Sequence, residues 1–388
     1  MKTAIALTLA ALLLVGCGSQ QNKEPLDQVQ LFELKQYLVA NGRTPIDYVV
    51  SKFADHDVIF LGEFHRIKDA PLLVKDLVPH LYENGVYTLA TEFAGKEEQP
   101  LIDSLLNSEA WDENLARHIQ LKQYSLWPWQ EYLDIFKAAW ELNRGLADTL
   151  RPFRILGINC DLDWSPVKSD GDFQSPEIRQ QVWKGCSEKD WAEVVLGPVR
   201  EGEKVLVYCG SHHAFTRYRQ PVVNSDGEFV RFGDVRVGNY VYEEIGDRAM
   251  SIYLHGPWFG IKSQYDRAER RPIAGAVDQL MAHLGAEAGP VGFDVVATPF
   301  GKLEDDEAIY SAGYENFTLA DFCDGYIWFR PFSEVETVSF VEGFYNEENI
   351  ELARVRVSAP SYRNAAPGDF ESRMRRQVER EEAHYHGL

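Results

Sequence analysis

Gly62-Glu63-Phe64-His65-Arg66 follows the apolar run Val58-Ile59-Phe60-Leu61, so a carboxylate and an imidazole stand two residues apart where a buried strand ends. If the backbone stays extended there, Glu63 and His65 point to one side, because strand side chains repeat every two residues. Three further apolar runs end in polar residues of the same kind: Thr91-Glu92-Phe93, Gly157-Ile158-Asn159-Cys160-Asp161-Leu162-Asp163 and Cys209-Gly210-Ser211-His212-His213. Neutral imidazoles beside carboxylates suit general acid–base work, and they also suit a divalent transition metal. Glu63, His65, Glu92 and His213 are therefore the candidate catalytic residues, and His65, Glu92 and His213 the candidate metal ligands. Arg66, His212 and Asp161 are candidate ligand-binding residues. Each has an ordinary alternative: a surface arginine, a histidine turned away from the site, and a loop or cap aspartate.

For these tips to meet, the strands must run parallel, since an open parallel sheet presents its carboxyl ends along one edge. The apolar runs at 58–61, 86–90, 153–156, 205–208, 250–254, 291–296 and 326–329 read as seven strands. Segments 70–84 and 273–284 between them have helical periodicity and are closed by Gly85 and Gly285. Leu31, Leu34 and Leu38 form one helical stripe stopped at Gly42, and Thr44-Pro45 reads as a cap and first turn of the next helix. The class is α/β, a largely parallel sheet of about seven strands with helices on both faces.

Residues 97–147 interrupt the alternation as an all-helical insertion carrying Trp111, Trp127, Trp129 and Trp140. Its Tyr124-Ser125-Leu126-Trp127-Pro128-Trp129 stretch reads either as the core of a small helical layer or as a ligand wall. Domain bounds follow: a main α/β domain over 29–345 and a C-terminal extension over 346–388 with a charged helix. His384-Tyr385-His386 reads as a solvated end. The Gly-x-x-His spacing at 62–65 and 210–213 is ordinary for ten histidines among 29 glycines; its position at strand ends gives it meaning. No Gly-x-Ser-x-Gly elbow, Walker loop or Gly-x-Gly-x-x-Gly fingerprint occurs.

The N-terminus reads as a secretory signal: Lys2, a short apolar stretch, then Leu14-Val15-Gly16-Cys17. Residues 1–16 are the expected signal peptide and 17–28 a polar tether. The formal charge of −21 argues against nucleic acid and against electrostatic attraction to anionic membranes. Cys160, Cys186, Cys209 and Cys323 lack paired Cys-x-x-Cys spacing, and four cysteines permit three disulfide connectivities.

Leu14-Val15-Gly16-Cys17 resembles the bacterial lipobox, which implies acylation of Cys17, attachment to a bilayer and an extracytoplasmic location at the periplasmic or surface face of an outer membrane. Gly62-Glu63-Phe64-His65, Glu92 and Gly210-Ser211-His212-His213 together resemble the ChaN-like haem-binding lipoproteins. That group shares a superfamily with erythromycin esterases and Tiki-type metalloproteases. Ile155-Leu156-Gly157-Ile158-Asn159, Gly238–Arg248 and Asp324-Gly325-Tyr326-Ile327 are also similar, so the likeness spans about residues 45–332. It implies haem or a divalent metal as the ligand, with haem or iron uptake as the setting. In its esterase and Tiki branches it implies hydrolysis by the same glutamates and histidines. The sequence departs from the esterase pattern in having one residue, Phe64, between Glu63 and His65 rather than two. Its 18 tyrosines offer no unique haem-iron ligand.

Overall fold

A computed structural model describes residues 26–261, 269–285 and 289–388. The signal peptide, Cys17 and most of the tether lie outside the described residues. Each of the seven apolar runs forms a strand of one sheet: Val58–Glu63 (β1), Thr88–Gly95 (β2), Arg154–Asn159 (β3), Val205–Gly210 (β4), Ala249–Leu254 (β5), Val291–Asp294 (β6) and Gly325–Trp328 (β7). Their spatial order is β6-β7-β5-β1-β4-β2-β3, and every pairing is parallel except that of the edge strand β6 with β7. β1 is central and fully buried, which is why its sequence is a continuous apolar run rather than an alternating one.

Alternate residues of the strands feed two layers. Ile59 and Leu61 of β1 face one core with Leu206, Tyr208, Ile252 and Ile327, covered by helices Pro45–Lys52 and Asp69–Glu83 and by the insertion. Val58 and Phe60 face the other side, covered by Glu188–Arg200 and Val237–Ile245. At the β5-β7-β6 end that second side is completed by helices Gln28–Asn41 and Ala276–Leu284. The predicted helix punctuation holds: Gly42 is the C-cap of Gln28–Asn41, Thr44 caps Asp47 N, and Gly85 and Gly285 take positive φ. The insertion is three helices, Gln99–Leu106, Glu113–Gln123 and Gln130–Gly145.

The chain end differs from expectation. Helix Pro367–Tyr385 is not a solvated tail, because Phe370, Met374, Val378 and Tyr385 line one of its faces and are buried. Tyr385 packs with Ile67, Phe332 and Val335, and its ring meets that of Phe64 edge-on. The loop between β3 and helix Glu188–Arg200 is closed by a Cys160–Cys186 disulfide, while Cys209 and Cys323 are free and buried. No helix among the described residues is long and apolar enough to cross a membrane.

That disulfide closes a loop whose regular structure is one short turn, Asp172–Gln174, and the helix Pro176–Val182. Replacing both Cys160 and Cys186 by serine is expected to lower unfolding free energy by about 2–4 kcal/mol through the regained freedom of the unfolded loop. Denaturant melts without reductant check this, and unchanged midpoints would show that the cross-link adds no net stability.

Candidate active site

Parallel register brings the candidate residues to one place. Glu63, the last residue of β1, lies opposite Gly210, the last of β4. Being two residues beyond Leu61, Glu63 points to the same face as Leu61 and Ile59, beneath the helical insertion. There its carboxylate is fully enclosed and accepts from Tyr132 Oη at 2.6 Å, from Tyr208 Oη, and from His65 Nδ1 at 2.8 Å. Burial pushes the Glu63 carboxyl up, working against the hydrogen bonds from His65, Tyr132 and Tyr208. The same carboxylate pushes both tyrosines, already raised by burial, well above the usual phenol range.

His65 gives its Nδ1 proton to Glu63 and so presents Nε2 as the free ring nitrogen, 3.7 Å from Glu92 Oε1. Its ring crosses those of Trp127 and Phe93 edge-on, at centroid distances of 5.1 and 5.8 Å, and its side chain stays about 36% exposed. The imidazole lies over the end of β4, where Gly210 carries no side chain. A Cβ at Gly210 would stand 2.7 Å from His65 Cε1.

Glu92 reaches the same spot because β2 is irregular. The β2–β3 register slips between Thr91 and Gly95, a bulge that turns the carboxylate toward β4. Glu92 Oε2 accepts from the Gly210 amide at 3.0 Å and stands 3.7 Å from His213 Nε2. His213 mirrors His65: its Nδ1 pairs with Glu188 Oε1 at 2.7 Å, and its ring leans on Trp191. Glu188 begins helix Glu188–Arg200, and its other oxygen caps Val237 N at 3.0 Å while Arg236 binds the first. Burial raises the Glu188 carboxyl, but His213 and Arg236 outweigh it and the net direction is down. Burial likewise opposes protonation of His213, yet Glu188 and Glu92 prevail and raise it.

Glu63, His65, Glu92 and His213 thus come together. The remaining candidates do not join them. Arg66, in a left-handed conformation (φ 70°), turns away to a two-pronged pair with Glu381 of the C-terminal helix, over the Trp127 ring. Its guanidinium neutralises neither Glu63 nor Glu92. His212 points the opposite way from His213, to Tyr310 Oη at 3.0 Å, and burial lowers it to about 3. Asp161 is held by Arg356. His65 and His213, expected with Glu92 as metal ligands, both direct Nε2 at the Glu92 carboxylate. Among the described residues no three His, Cys, Asp or Glu side chains are grouped to hold one ion.

Four participants lie outside the candidate set: Tyr132, Tyr208, Glu188 and Arg236. Ser187-Glu188 did carry a signal, a serine cap followed by acidic first-turn residues, which marks a helix start.

Residues 49–160 match the family model described as haem-binding uptake, Tiki superfamily, ChaN. The resemblance to the ChaN-like group is borne out. The matched stretch holds Glu63, His65 and Glu92, while Glu188 and His213 follow it. Among solved structures, the chain is similar to a mutant erythromycin esterase in its open conformation, at 11% identity over 79% of this chain and 100% of that one, TM-score 0.48. A succinoglycan biosynthesis protein is similar at 10% identity over 79% and 98%, TM-score 0.47. ChaN of Campylobacter jejuni, solved with cofacially bound haem, is similar at 14% identity over 56% and 88%, TM-score 0.35. No curated protein sequence matches the chain.

The Glu188–His213 pair has a definite pH signature. His213 is raised above its unfolded value, so its contribution to stability is present below the unfolded pKa and is lost as pH rises through the folded one. Glu188 is lowered, so its contribution is present above its unfolded pKa and lost as pH falls through the folded one. Glu188→Gln is therefore expected to move the His213 ring titration to lower pH, read by proton NMR of the imidazole. A titration that does not move would show that Glu92 alone sustains it.

Proposed function

We propose that this protein is a hydrolase of the esterase or amidase kind, using paired histidines in an extracytoplasmic, Cys17-anchored chain. The observation that carries the reading is the symmetry of the two imidazoles. Each is held at Nδ1 by a buried carboxylate, and each directs Nε2 at the same Glu92 carboxylate from a distance of 3.7 Å. Such a pair can move protons in both directions across one reacting centre.

His213, raised toward the protonated form, supplies the acid, and His65, whose proton sits on Nδ1, supplies the base. His65 Nε2 takes a proton from water as the water oxygen bonds to an acyl carbon. His213 Nε2–H gives its proton to the leaving oxygen or nitrogen as that bond breaks, leaving an acid and an alcohol or amine. Glu92, fixed by the Gly210 amide, orients the water between them. Glu63 and Glu188 hold the rings and stabilise the imidazolium that forms on each.

The family description favours a second reading, haem binding. The site fits that group in part. His65 offers a free Nε2 and a partly exposed ring, but Trp127 and Phe93 stack on each other at 5.4 Å instead of flanking an open slot. His65 would hold bound haem through Nε2, and the haem would supply redox chemistry or be carried as cargo.

Under the hydrolase reading, Glu63→Gln, His65→Ala and His213→Ala each lower turnover of a responsive ester or amide by about 10²–10⁴-fold, the usual worth of a positioned acid or base. Gly210→Ala gives a loss of the same kind, because its methyl displaces the His65 ring. Melting temperatures measured on the same preparations set the assay temperature below each variant's transition, so that the loss read is one of turnover and not of fold. Activity that survives His65→Ala would sink the proposal. A stoichiometric Soret band on haemin titration, abolished by His65→Ala, would favour the second reading.

A further inference from the structure

Most of the exposed large apolar side chains among the described residues stand on elements that pack on one core, the one beneath β5-β7-β6. Val29, Phe32 and Val39 lie on the outside of helix Gln28–Asn41 and are 64–73% exposed. With Gln36 they follow helical spacing of three, four and three residues, so they form one stripe, backed by the buried stripe Leu31, Leu34 and Leu38. The helix is thus apolar on two sides, and only the inner one is accounted for by the core. Phe229, Val230 and Phe232, on the outer strand of the ribbon formed by Pro221–Val223 and Phe229–Phe232, are also exposed, as is Val296 after β6. All of these elements pack on the core beneath β5-β7-β6: Leu31, Val223 and Val295 belong to it, and Phe232 meets Tyr314 at its margin. Among the described residues, only Leu150 and Val355 of the exposed large apolar side chains lie elsewhere.

The N-terminal segment leaves from this same side. Leu26 is buried in that core and is pinned by Gln279, which accepts from its amide at 2.8 Å and donates to its carbonyl. From there Cys17 is nine residues away, a reach of at most about 30 Å when fully extended and about 17 Å for a flexible chain. A lipid on Cys17 would hold the start of helix Gln28–Asn41 within about that distance of the bilayer surface.

We infer that the face formed by helix Gln28–Asn41 and the 229–232 strand rests on the lipid surface, so that the protein has a fixed orientation on its membrane. This rests on the anchored reading of Cys17 and adds the surface that meets the lipid. The occupant is the apolar and zwitterionic interface: Val29, Phe32, Val39 and Val230 enter the headgroup boundary, and the chain's strong negative charge makes anionic headgroups a poor match.

The test uses the mature acylated protein in phosphatidylcholine vesicles. An environment-sensitive dye is placed through Val39→Cys or Val230→Cys, and through Leu150→Cys or Val355→Cys as references. Among the native thiols, Cys209 and Cys323 are buried and Cys160 is bonded to Cys186. Doxyl-labelled lipid is expected to quench positions 39 and 230 roughly twofold more strongly than 150 and 355, the contrast of an interfacial with an aqueous site. Equal quenching at all four positions would overturn the inference. So would dye at 39 and 230 that ignores doxyl lipid but responds to protein density, which would assign the face to a second copy. Protein that fails to float with the vesicles would overturn the anchor itself, and this inference with it.

Discussion

The site depends on an absent side chain. His65 lies where Gly210 would carry a Cβ, and the Gly210 amide is the donor that fixes Glu92. One residue thereby sets two of the distances on which the paired-imidazole geometry relies. It can do so only because β1 and β4 are adjacent and in register, with Glu63 opposite Gly210. A one-residue slip would send Glu63 to the other face of the sheet, away from Tyr132 and Tyr208. The buried apolar run of β1 is therefore what fixes the chemistry at its tip.

Two buried carboxylates are held in different ways. Glu63 is met by two phenols and an imidazole, and burial still keeps it raised. Glu188 is met by an imidazole, a guanidinium and a helix-terminal amide, and those charges outweigh burial. A carboxylate removed from water is expensive unless it is well supplied with donors, and each of these is. His213, beside Glu188, is drawn toward the cation.

Much of this was legible in the chain because burial writes itself as apolar runs. Seven strands, the glycine helix stops and the tryptophan-rich helical insertion all follow from that pattern. Glu63, His65, Glu92 and His213 were legible because each closes such a run. Tyr208 was hidden by lying inside one, where a tyrosine reads as core. Tyr132 sits in a helix whose position over β1 no local pattern reveals. Glu188 belongs to a helix start that sequence marks but cannot aim. Arg66, His212 and Asp161 were placed beside the site by their neighbours in sequence. A left-handed turn, the alternation of a strand tip and a facing Arg356 sent them elsewhere. The C-terminal stripe Phe370, Met374, Val378 and Tyr385 was present in the sequence but obscured by the charges around it.

The order of the sheet also bears on when this protein can fold. β1 lies near the start of the chain, yet its two partners are β4 and β5, with Val58 beside Val205 and Ala249. Its burial must wait for more than half of the polypeptide to be available. Contacts of such separation close slowly, because loop entropy is lost before they form. The strand that organises the site has no neighbours until residues 205–254 have been made, so a part-made chain keeps both of its edges open.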